Sequence, residues 1–134
     1  MSTFPLKIVT ADGLVYDGPA EEIIVRTITG DMAVLARHMN CVTPLGMGRA
    51  TIVVDGERRY AACIGGLLSI VNGEVNLVPT TFEWADSIDA ARAEASKARA
   101  EKVLNNENAS DTDIKLAKAR LHRALVRSSV ASNQ

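Results

Sequence analysis

The stretch LLSIVNGEVNLVPTTFEWADSIDAARAEASKARA, residues 67–100, changes its period partway along. Up to Val78 the apolar side chains alternate with polar ones, in LLSIV and again in EVNLV, as half-buried strands require. Between the two runs lies Asn72-Gly73, a dipeptide that supplies the two positive-φ positions of a type I′ hairpin turn. Pro79 ends the alternation. From residue 87 to residue 104 there is no Gly or Pro and alanine dominates, so the chain reads as helix. Strands come before this switch and helices after it.

Upstream, the strand pattern extends to the N-terminus. FPLKIVT alternates, TIVV pairs naturally with ERRYAAC around Asp55-Gly56, and Asp12-Gly13 supplies a further turn. The run EIIVRTI precedes a turn read at Gly30-Asp31. Short strands at this spacing indicate an antiparallel sandwich or barrel of about ten strands, with Pro44 and Pro79 at strand ends or edges.

Downstream, Ser87 is read as the N-cap of the first helix, with Asp89 complementing the positive end of its dipole. NNENASD is too polar to pack and interrupts the helix. Ser110 then caps a second helix, with Asp113 standing in for the glutamate of a capping box. Its apolar face is Ile114, Ala117, Leu121, Ala124 and Leu125. Two helices joined by a short polar loop return as an antiparallel hairpin. The fold is therefore α+β: a β-sandwich over residues 1–84, then a helical hairpin over residues 85–134. An alanine seam buries little area, so the hairpin is expected to be marginal and open to control by a ligand or partner.

Composition narrows the function. With 47% hydrophobic and 23% charged residues the chain is globular. No apolar run reaches the roughly 18 residues of a membrane span. MSTFPLKIVT carries neither signal-peptide nor transit-peptide features, which reads as cytosolic. Cys41 and Cys63 stand 22 positions apart without a CxxC, and His38 and His122 are remote from both in sequence, so no metal site is expected. The net charge of −1 divides into −4 over residues 1–86 and +3 over residues 87–134, two modules with different partners. The basic tail has no aromatic residue, which argues against nucleic-acid stacking. There is no GxxxxGK phosphate loop and no nucleophile–base constellation, which argues against an enzyme.

Spacing marks one feature of the tail. Arg92 and Arg99 are seven apart and share a helix face; Arg123 and Arg127, four apart, share another. With the hairpin folding about residue 108 or 109, Arg92 is level with residue 125, between Arg123 and Arg127, and Arg99 lies roughly 10 Å further along. Converging guanidiniums repel unless an anion lies between them, and their fork suits phosphate. Spacing alone leaves a polyphosphate site and a solvated basic face as alternatives.

LKIVTADGLVYDG, GDMAVLARHMNCVTPL, CIGGLLSIVNGEVNLV and SIDAARA with its following helices together resemble the epsilon-subunit family of bacterial F-type ATP synthases, along essentially the whole chain. The most specific element is IDAARA, which fits that family's ATP-binding pattern of Ile or Leu, Asp, two variable residues, Arg and Ala. The resemblance implies a non-catalytic central-stalk subunit, peripheral at the cytoplasmic face of the bacterial membrane. Its sandwich would bind the gamma subunit and the c-ring, with Asp31 and His38 at that interface. Its hairpin would hinder ATP hydrolysis when extended toward the alpha and beta subunits and permit it when folded. ATP, as a regulatory ligand without a metal, would favour the folded state. Arg92, Arg99, Arg123 and Arg127 would lie toward the phosphates, and Glu83, Ile88, Asp89 and Ala93 toward the nucleoside. The alternative is a purely structural stalk subunit with a constitutive hairpin. Where the family commonly has Gly-Glu and Leu-Pro-Gly-His, this chain has Gly30-Asp31 and Leu35-Ala36-Arg37-His38.

Overall fold

Asn72 and Gly73 have φ of 51° and 83°, and Asp55 and Gly56 have 52° and 77°, so both dipeptides make the expected type I′ geometry. In the computed structural model, which describes residues 2–132, they close two of the hairpins among ten strands. These are β1 (Phe4–Thr10), β2 (Gly13–Ala20), β3 (Glu22–Thr27), β4 (Gly30–Leu35), β5 (Cys41–Pro44), β6 (Met47–Val54), β7 (Glu57–Ile64), β8 (Leu67–Val71), β9 (Glu74–Val78) and β10 (Thr81–Trp84). They form two five-stranded sheets, in the orders β2-β1-β9-β8-β5 and β10-β7-β6-β3-β4.

Neighbouring strands are antiparallel except β1 and β9, which run parallel with Leu6 opposite Val75 and Ile8 opposite Leu77. A parallel pair needs a long crossover, and the strands between β1 and β9 supply it. The core lies between the sheets: Leu6 and Ile8 of β1 and Leu68, Ile70 and Leu77 of β8 and β9 face Ile23, Val25, Ile52 and Cys63 of the other sheet. Burying each such branched side chain contributes about 1.5–3 kcal/mol. Alternation along β8 and β9 thus does what the sequence implies. β5, which ends on Pro44, is an edge strand.

Two turn expectations need correction. At Asp12-Gly13 only the glycine has positive φ, 123°, so the turn is not type I′. The Asp12 N–H instead donates to Thr10 Oγ1 at 3.2 Å, and the β1–β2 register slips between Ile8 and Val9. The turn read at Gly30-Asp31 falls instead at residues 28 and 29, and Gly30 and Asp31 are the first two residues of β4. Its cause is Thr27, whose buried hydroxyl donates to Gly30 O at 2.7 Å and accepts from the Thr29 N–H at 3.2 Å.

The chain divides after Trp84 into two compact units. The second starts with a single 3-10 turn, Ala85–Ser87, followed by α1 (Ala90–Leu104) and α2 (Asp111–Ser132). Asp89, not Ser87, is the N-cap of α1: its backbone is extended, and its carboxylate accepts from the Arg92 N–H at 3.0 Å. Ser87 is held in the preceding turn, closed by the Ile88 N–H on Ala85 O at 3.4 Å. Asn105 ends α1 by donating to Glu101 O, and Asn106 Oδ1 accepts from the Asn108 N–H at 2.9 Å, an Asx turn that starts the return.

Over the length that α1 and α2 share, the buried residues are alanines: Ala93 and Ala100 on α1, Ala117 and Ala124 on α2. Ala100 and Ala117 lie equally far from the turn, as do Ala93 and Ala124, which fixes the register of the two helices. A methyl-sized group contributes about 0.8 kcal/mol on burial, so this seam holds far less than the leucine and isoleucine core of the sandwich. α2 has 22 residues against 15 in α1, and its overhanging end meets the 3-10 turn, with Val130 buried there. Of the expected apolar face, Leu125 is 44% exposed and so stands outside the seam.

Candidate functional site

Antiparallel packing of α1 on α2 creates a groove of about 740 Å³ within the helical unit. Ser96, Arg99, Ala100 and Val103 reach it from α1 at i, i+3, i+4 and i+7. From α2 come Asp113, Leu116, Ala117, Arg120, Arg123 and Arg127. Four guanidiniums and one carboxylate thus line the same cleft. Asp113 Oδ2 accepts from the Ser110 N–H at 3.3 Å at the loop end, and its single negative charge leaves the four arginines in excess. Among the described residues, Arg99, Arg120 and Arg123 form no ion pair. Such a cleft favours a ligand carrying several negative charges, and guanidinium forks suit phosphate oxygens.

The groove brings together part of the expected set. Arg99, Arg123 and Arg127 line it, while Arg92, Ile88, Asp89 and Ala93 do not. Arg92 is exposed on the first turn of α1, one turn beyond Ser96 on the same ridge. Asp89 is engaged in capping. Ile88 and Ala93 are buried, at 8% and 4% exposure. Glu83 lies half-buried on β10, in the sandwich unit. Arg120 is absent from the sequence-derived set although the spacing 120, 123, 127 places it on the same stripe; that periodicity was the available signal.

In the sandwich, Asp31 lies on β4, where its Oδ1 accepts from Arg26 Nε at 2.7 Å. Both side chains are about half exposed, so the pair adds little stability. His38 follows β4, and its Nδ1–H donates to Met39 O at 2.8 Å. Asn40 anchors this loop by accepting from the Asn72 N–H at 2.8 Å. Around it Leu35, Met39 and Val42 are exposed. Leu67 and Val78, opposite one another on β8 and β9, add to the apolar surface of the first sheet. Exposed apolar side chains grouped in this way mark interaction surfaces.

Among the described residues no helix is long and apolar enough to cross a membrane, and no group of three or more His, Cys, Asp or Glu residues is placed to hold a metal ion.

A two-sheet sandwich followed by a basic helical hairpin defines a class in which a rigid β-domain carries a small helical appendage. Residues 3–85 match the family described as ATP synthase, Delta/Epsilon chain, beta-sandwich domain, and residues 86–132 match its long alpha-helix domain. The ATP synthase epsilon chain of Bacillus velezensis is 41% identical over 133 residues, covering 99% of this chain and 100% of the relative. That of Bacillus subtilis is 39% identical over 115 residues, 86% of each chain. In fold, the chain is similar to one in the cryo-EM structure of the Euglena gracilis mitochondrial ATP synthase, OSCP/F1/c-ring, with a TM-score of 0.85 at 18% identity, over 100% of this chain and 83% of that one. The chain belongs to the delta/epsilon chain family of ATP synthase, as a non-catalytic epsilon-type subunit.

Proposed function

We propose that this subunit works in the central stalk of a bacterial proton- or sodium-translocating ATP synthase, peripheral at the cytoplasmic face of the membrane. The sandwich couples the gamma subunit to the c-ring through the surface that carries Asp31, His38 and the neighbouring apolar side chains. The hairpin restrains ATP hydrolysis when extended toward the alpha and beta subunits, and ATP, without a metal, favours the folded state. One observation carries the reading. Arg99 comes from α1, while Arg120, Arg123 and Arg127 come from α2, so the basic groove exists only while the hairpin is folded.

The energetics agree with it. A ligand that binds only the folded form stabilises it by about 2.7 kcal/mol at a hundredfold excess over Kd. Four buried alanine methyls at about 0.8 kcal/mol each are worth a similar amount, so the ligand is able to set the equilibrium. Calorimetric titration of the chain with ATP, beside an Arg92→Ala, Arg123→Ala double variant, tests the site. Binding by the wild type and weak or no binding by the variant is expected. Equal binding by both, or none by either, removes the proposal.

A second reading, a structural stalk subunit with a constitutive hairpin, is favoured by the state of the IDAARA residues. Asp89 caps, and Ile88 and Ala93 are buried, which accounts for three of them without a ligand. This reading expects no change in melting temperature with ATP.

A further inference from the structure

Resting on the nucleotide-responsive hairpin proposed above, we infer that Arg120 is a phosphate-binding residue of the groove, the partner of Arg99 across it, and that the two grip one end of a polyphosphate chain.

The helix register leads to this pairing. Because Ala100 and Ala117 are equidistant from the turn, the residue level with Arg99 is Lys118. Arg120 lies two residues beyond that level, about 3 Å along the axis, whereas Arg123 lies about 7.5 Å and Arg127 about 13.5 Å away. Arg99 and Arg120 both line the groove. Lys118 is exposed on α2 and is not part of the lining. Without Arg120, the Arg99 guanidinium would have no cationic counterpart across the groove nearer than Arg123.

The arrangement also defines the ligand class. Arg120, Arg123 and Arg127 follow one another along α2 over about 10.5 Å, a ladder that a chain of phosphates can occupy and a single phosphate cannot. The one carboxylate in the lining, Asp113, lies two turns from Arg120 and is engaged at the capping box. The end of the ladder at Arg99 and Arg120 is thus an uncompensated cationic pair. It serves the phosphates and not the nucleoside, so inorganic tripolyphosphate should use it as ATP does.

The test is titration of the full chain with ATP and with inorganic tripolyphosphate, for the wild type, Arg120→Ala, Arg120→Lys and the control Lys118→Ala. Helicity is followed by circular dichroism. Arg120→Ala should raise the Kd for both ligands about tenfold, Arg120→Lys should fall between, because a point charge replaces a fork, and Lys118→Ala should leave both unchanged. If Arg120→Ala retains helicity and wild-type affinity for both ligands, the inference is overturned while the nucleotide-responsive hairpin stands. The same follows if Arg120→Ala weakens ATP alone, or if Lys118→Ala weakens binding equally. Failure of the wild type to bind either ligand overturns that underlying reading, and this inference with it.

Discussion

Ser110 and Asp113 cap α2 reciprocally. The Asp113 N–H donates to Ser110 Oγ at 3.1 Å, and the Ser110 N–H donates to Asp113 Oδ2 at 3.3 Å. Two backbone donors that the first turn of a helix leaves open are thereby satisfied, at the point where the hairpin reverses. In a unit held by an alanine seam, one cap is a sizeable share of the total.

Ser110→Ala should therefore destabilise the helical unit by about 1 kcal/mol. Amide hydrogen exchange gives the readout. Exchange should accelerate across α1 and α2, with the β1 and β9 amides unchanged. Uniform acceleration throughout the chain would contradict the assignment of this cap to the helical unit alone.

Gly66 joins β7 to β8 with φ of 99°, and a Cβ there would lie 2.0 Å from the Val78 carbonyl oxygen. Gly30, at φ of 129°, has nothing within 4 Å of its notional Cβ. Gly66→Ala has to move the β9 backbone as well as bear the torsional strain, so it should lower the melting temperature far more than Gly30→Ala. The latter carries only the strain, about 1–3 kcal/mol. Comparable thermal shifts for the two would show that β9 yields.

Arg37 has φ of 67°, a left-handed conformation that a side chain disfavours. It occupies the position at which the resemblance implies glycine. Arg37→Gly should raise stability by about 1 kcal/mol, seen as a higher urea midpoint with an unchanged m value. A lower midpoint would mean that the Arg37 side chain contributes more than its backbone strain removes.

Burial pushes the Cys63 thiol up from 9.0 to about 12. Between those values the unfolded chain loses this proton and the folded sandwich keeps it, so stability should fall as pH rises above about 9. Tyr16 acts in the same direction, its hydroxyl raised by burial and then by Asp55 and Asp17. Urea denaturation between pH 8 and pH 11 should show the decline, and Cys63→Ala should flatten it. In the folded chain a thiol reagent should modify half-buried Cys41 well before Cys63.

Much of the fold is legible locally. The alternation in LLSIV and EVNLV, the Asn72-Gly73 and Asp55-Gly56 turns and the Ser110–Asp113 box depend on neighbours within a few residues, where propensity and spacing speak directly. The start of α1 is not legible locally, because Ser87 and Asp89 are both good caps. Which one serves depends on the backbone of the 3-10 turn before it, which no local pattern specifies. The β3–β4 turn shifted for a similar reason: the buried Thr27 hydroxyl, not the Gly-Asp dipeptide, holds it.

The basic groove divides in the same way. By itself the sequence determined that arginines recur at helical spacing on two segments joined by a polar loop, since periodicity is a property of each helix alone. Only the tertiary structure decided which of them share a cleft. The alanine register set Arg99 against Arg120 and left Arg92 a turn beyond the lining. The same holds for the parallel pairing of β1 with β9, strands some 70 residues apart in the chain. Contacts between distant segments are chosen by how two surfaces pack, and packing is a relation that neither segment carries alone.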